Sequence, residues 1–227
     1  MLQASGCSEP VTDTSTKNSI GTKACSANNG DPKTLKYYSL VWKTILNHTR
    51  FLSRLDAVIS NAFPEHQVYL SSKANKFITQ AVAELQENGM PPDKVFLRDQ
   101  QHHMGNLVFE DLGTFHSDFR KIAQPIVAKH WDWEPVNQDY PQELLDHVLS
   151  LYNELTEGTK YVHSKCDNEG NFDNFSSSAL QELCVVRYYT GKSCLTSTFP
   201  DIFSKCLPAS ALAFAATAVS FYLFIYF

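Results

Sequence analysis

Ser72-Lys73-Ala74-Asn75-Lys76-Phe77-Ile78-Thr79-Gln80-Ala81-Val82-Ala83-Glu84-Leu85-Gln86 places its large apolar side chains at 77, 78, 82 and 85, with small Ala81 on the same stripe. It then meets Gly89-Met90-Pro91-Pro92. A stripe with that spacing is one face of an α-helix, and the glycine and paired prolines end it. The same spacing recurs on both sides. Tyr38 to Leu46 carries Leu40, Val41, Trp42 and Ile45; Phe51 to Phe63 carries Leu52, Leu55, Val58, Ile59 and Ala62 and stops at Pro64. Downstream, Asp93 to His103, Leu112 to Lys129 and Tyr140 to Leu155 repeat it, the last through Leu144, Leu145, Val148, Leu151, Tyr152 and Leu155. The fold class is therefore all-α, with a helical bundle over residues 36–160.

Outside that body the composition shifts. Residues 1–35 are rich in Ser, Thr, Asn and Gly and poor in large apolar side chains, the profile of a flexible polar arm. Residues 161–206 read as a cysteine-bearing stalk with one short helix from Ser178 to Tyr189, capped from Ser176 to Ser178. Asp167 to Asn174 has the composition of a calcium loop, but its glycine is misplaced and the closing Glu is missing, so it reads as a plain polar loop.

Residues 207–227 are uncharged and almost wholly apolar. As a helix they span about 31 Å, close to the hydrocarbon thickness of a bilayer. A buried core helix is set aside because Phe and Tyr crowd the circumference of Phe221-Tyr222-Leu223-Phe224-Ile225-Tyr226-Phe227. That leaves a retained tail anchor or a glycolipid attachment signal. Gly191, Ser193 and Ser197 are small enough to accept the cut, Lys205 is the only cationic flank, and nothing basic follows Phe227, so the lipid anchor is preferred. It implies a cell-surface protein; the alternative is a tail anchor facing the cytosol. Met1 to Cys7 shows no secretory signal, which fits either an upstream start or the cytosolic alternative.

Six cysteines lie only in the flanks, at 7, 25, 166, 184, 194 and 206. Their even number beside an anchor signal points to disulfides, with Cys184 and Cys194 able to close a short loop. Free thiols in a cytosolic protein are the alternative. No Cys-x-x-Cys occurs, which argues against structural zinc. Sequons at Asn47 and Asn174 fit a glycosylated surface protein. A net charge of −5 without a basic cluster argues against nucleic acid as partner.

Histidine is the most suggestive reactive residue. Six of the eight lie from His102 to His163, and a neutral imidazole facing an apolar space is a common iron-porphyrin ligand. Trp42 in the first helix, Phe63-Pro64 after the second, and the run from Lys73 to His102 as distal helix, Met-Pro turn and proximal histidine together resemble a globin over about residues 37–158. Val108, Leu112, Phe115 and Phe119 follow at apolar positions, and Tyr140-Pro141-Gln142-Glu143 resembles the start of the final helix. The resemblance implies haem held by His102, with Lys73 at the distal position, Phe77 over the iron and Val108 at the porphyrin edge. It also implies a small gaseous ligand, sensing or redox work. His116, His130 and His147 are read as structural or exposed.

Enzyme signatures are missing. Asp99-Gln100-Gln101-His102 has the spacing of a dimetal ligand pair but has Asp for Glu and stands alone, and no nucleophile elbow or phosphate-binding glycine loop occurs. The rival to the haem reading is a lipid-anchored surface bundle that binds another protein and holds no cofactor.

Overall fold

The computed structural model describes residues 30–89, 92–131, 141–163, 173–191 and 194–225. Among them there are helices and no strand. Helix α1 is Leu40–Ile59, and the short α2, His66–Val68, runs through a π segment, Tyr69–Ala74, into α3, Asn75–Glu87. Helix α4 is Lys94–His130 and α5 is Pro141–Thr156. Helix α6, Ser178–Cys184, continues as a second π segment, Val185–Tyr189; α7 is Leu195–Thr198, α8 Pro200–Phe203 and α9 Ala209–Ile225.

The two segments expected before Pro64 are one helix. Thr49 bridges them: it is fully buried and its hydroxyl donates to the Ile45 carbonyl at 2.8 Å, so the polar stretch between them stays helical. The segments expected on either side of residues 104–111 likewise join in α4, because Met104, Leu107 and Val108 continue the buried stripe. Asp93 starts that helix by accepting from the Val95 and Phe96 amides at 2.9 and 3.4 Å. At its other end Lys129 and His130 stand where the helix dipole favours positive charge.

At 37 residues, roughly 55 Å, α4 is the spine. Its first half closes one core with α1 and α3 through Trp42, Ile45, Leu46, Phe77, Ile78, Met104 and Val108. Its second half closes another with α6 and α9, through Phe115, Phe119, Val127, Leu180, Leu183, Phe214 and Val219. Asp111 sits at the junction, 9% exposed, accepting from Arg54 at 2.7 and 2.9 Å with Arg50 at 3.6 Å. Arg187 lies across Phe115 and Phe119, 4.7 and 4.9 Å from the ring centres.

The apolar tail is where the structure differs most from the sequence expectation. Within it, α9 packs against α4, α6 and α1 as a core helix. Ala211, Phe214, Ala215, Ala216, Ala218, Val219, Tyr222 and Leu223 are buried, while Ser210, Ala213, Thr217 and Phe221 form the exposed stripe. Tyr188 locks the N-terminal end by donating to the Ala211 carbonyl at 2.8 Å, and burial raises its phenol pKa. No described helix is long and apolar enough to cross a membrane.

The segment expected as a stalk is also core, through Ala179, Leu180, Leu183, Cys184 and Tyr188. The expected Cys184–Cys194 bridge is not formed, and both thiols are free. Cys184 is sunk among the α6 and α9 side chains, where burial pushes its thiol up to about 12. Cys194 instead precedes α7 and contacts the Thr196 and Ser197 hydroxyls at 3.2 and 3.3 Å. No serine side chain caps α6; Ser178 pairs with His130 Nδ1 at 3.0 Å and Ser176 donates to the Asp173 carbonyl. Gly191 ends the described stretch after the second π segment, Ser197 lies within α7, and Asn47 and Asn174 are exposed. Ser193, Cys7, Cys25, Cys166, most of the Asp167 to Asn174 loop and all but the end of the N-terminal arm lie outside the described residues.

Candidate functional site

The π segment after α2 brings the chain against α4 at Gly105. A Cβ there would stand 3.3 Å from Leu70 Cδ2 and 3.4 Å from Ala74 Cβ, so the close crossing uses the missing side chain. Beside this crossing opens a cleft of about 420 Å³. Gln67, Ser71, Asn75, Arg98, Gln101 and His102 supply its polar lining, and Leu70 and Gly105 complete it. π turns are frequent at functional sites because the extra residue swings side chains out of helical register. Here Tyr69 and Ala74 are buried, while Leu70 and Ser71 turn to the cleft. Tyr69 is held by the Ser53 hydroxyl, and burial pushes its phenol up to about 12.

His102 is exposed on the cleft wall. The Asn106 amide nitrogen lies 3.2 Å from its Nε2, and the Asn106 carbonyl oxygen lies 3.2 Å from His66 Nε2. Asn106 thus bridges the two imidazoles, its amide nitrogen facing His102 and its carbonyl oxygen facing His66. His66 is steadied by Phe109, ring centres 4.5 Å apart.

The four positions marked by the globin resemblance do not come together. His102 faces the polar cleft. Lys73 turns to α1, its ammonium 2.9 Å from Asp56 Oδ1. Phe77 and Val108 are packed in the first core among α1 and α3 side chains. A porphyrin needs an apolar slot beneath its ligand histidine, and amides, a hydroxyl and a guanidinium line the cleft instead; the residues present do not fit that group. Among the described residues no group of three or more His, Cys, Asp or Glu side chains could hold a metal ion.

The remaining histidines divide by role. His130 binds Glu182 at 2.7 Å beside Lys129 at 2.9 Å, which ties α4 to α6 and holds the Glu182 carboxyl below its usual range. His147 is exposed. His116 is half-buried beside Phe63 and Phe214, with ring centres 5.1 and 5.5 Å away, and burial lowers its pKa. No local pattern marks His116, because its neighbours come from about 50 residues upstream and 100 downstream.

A family model described as a domain of unknown function, DUF6532, matches residues 48–226. The chain belongs to that family. No curated protein and no solved structure matches the chain. The matched DUF6532 region begins within α1 and includes α9, so it contains the cleft, the second core and most of the first, whose Trp42, Ile45 and Leu46 lie just before it.

Proposed function

We propose that this DUF6532 domain is a cofactor-free binding module that takes a small, polar, anionic ligand in the cleft between the first π segment and α4. The lining carries the reading: three amides, a hydroxyl, a guanidinium and an imidazole, with no carboxylate. Such a wall is rich in donors and suits a ligand rich in acceptors, and Arg98 suits a carboxylate or phosphate. Asp99 engages Arg98 through Nε at 3.3 Å, in an exposed pair of little strength that leaves the terminal guanidinium nitrogens for a ligand. His102 is the single acid–base group on the wall, and its Nε2 is already occupied by Asn106, an arrangement for positioning rather than turnover.

Thermal denaturation with glucose 6-phosphate, citrate and glucose tests the proposal. The two anions should stabilise the fold and neutral glucose should not; at a hundred times Kd the gain is about 2.7 kcal/mol. Arg98→Ala changes an exposed side chain and should abolish the gain without lowering the unliganded midpoint. No stabilisation by either anion, or equal stabilisation in Arg98→Ala, overturns the reading.

A further inference from the structure

A second concavity lies on the other flank of α4, built from aromatic rather than amide side chains. Two hollows of about 320 and 80 Å³ meet at Phe63 and His116. Phe109 and Leu112 line the first; Phe119, Phe214 and Phe221 line the second. Phe63 roofs both while 60% exposed. Its ring is stacked on Phe214 at 6.3 Å. An exposed phenylalanine held over a histidine and a second phenylalanine makes a three-sided aromatic cage.

One atom in that cage lacks a partner. His116 Nε2 is buried without a hydrogen bond. The ring's hydrogen bond is to the Ala62 backbone and favours its protonated form, so Nδ1–H donates to the carbonyl and the neutral ring presents a bare lone pair at Nε2. An unsatisfied buried acceptor costs about 1–3 kcal/mol. Water is a poor remedy, because it needs two to four polar partners and the nearest hydroxyl in the second hollow, Thr217, already donates to the Ala213 carbonyl. Arg120 at the rim is engaged with the Phe221 ring at 4.0 Å, and Glu110 lines the first hollow, which disfavours an anion.

We infer that this cage is a binding site for an aromatic alcohol, whose ring packs against the Phe63 and Phe214 rings and whose hydroxyl donates to His116 Nε2. The site is separate from the polar cleft, and neither depends on the other.

Isothermal titration of the full chain with 2-naphthol, 2-methoxynaphthalene and 2-naphthoate tests it. The first two have nearly the same shape and differ in the donor. 2-Naphthol should bind at least tenfold more tightly than its methyl ether and than the carboxylate. His116→Phe should remove the preference for the alcohol, while Phe63→Ala, a change at an exposed ring, should weaken both neutral probes alike. The alcohol comparison needs only the unmodified chain, so a poorly folding variant leaves the test intact. Equal affinity for alcohol and ether, no saturable binding of the alcohol, tighter binding of 2-naphthoate, or a preference that survives in His116→Phe each overturns the assignment.

Discussion

Burial at His116 makes its protonation a charge on the folded state. Its pKa falls below the ordinary 6.5, first through desolvation and then through Arg120, and the Ala62 hydrogen bond only partly opposes this. Between 6.5 and the lower folded value the unfolded chain takes up a proton that the native ring refuses. The stability His116 contributes is therefore complete above the unfolded pKa and declines as pH falls through it. Urea unfolding from about pH 7.5 to about pH 5.5 should show wild type losing stability relative to His116→Phe, with the gap constant above neutrality. Loss of the Glu182 carboxylate belongs to a lower window, below its ordinary 4.5, so the two effects separate on the pH axis. A parallel pH dependence in wild type and variant would place the ring in solvent.

Helices whose buried stripe lies within one segment were readable from sequence: 77, 78, 81, 82 and 85 of α3 are all buried. What sequence could not supply was the join across residues 104–111, because the reason for a glycine at 105 sits on another element. A Cβ at 105 would press on Leu70 and Ala74, whereas one at Gly113 would meet nothing within 4 Å. The two glycines of α4 should therefore respond with opposite sign. Gly113→Ala removes backbone freedom from an open helical position and should stabilise by up to about 1 kcal/mol. Gly105→Leu should destabilise by about 1–3 kcal/mol, because Leu70 and Ala74 of the π segment must shift to admit it and that outweighs the helical gain. Urea midpoints of both variants decide this; matching shifts would mean that the crossing at 105 is loose. Of the polar cleft the sequence marked only His102, and as an iron ligand, because Gln67, Ser71 and Asn75 come to it from another element. The aromatic cage was not legible, since Phe63, His116 and Phe214 meet only after α4 and α9 have packed.

On the scale of the whole molecule, the ambiguous feature is the apolar tail, and hydropathy hides the distinction that matters. Ser210, Ala213 and Thr217 are small enough to look membrane-compatible, yet in α9 they mark the solvent stripe, and with Phe221 they recur every three or four residues. The opposite side buries Phe214, Val219, Tyr222 and Leu223 against α4 and α6. At about 1.5–3 kcal/mol for each large side chain, those four contribute about 6–12 kcal/mol, comparable with the 5–15 kcal/mol that separates a native domain from its unfolded chain. A chain ending at Cys206 also strands the Tyr188 hydroxyl and opens Phe115 and Phe119 to water. It should lose its cooperative thermal transition and bind a hydrophobic dye while keeping much of its helical circular dichroism, the signature of a collapsed core without fixed packing. Cleavage near Gly191 or Ser197 removes still more, including α9, and predicts the same outcome. A truncated chain that melts cooperatively at the wild-type midpoint would instead show that the bundle folds without α9 and leaves the run free to act as an anchor.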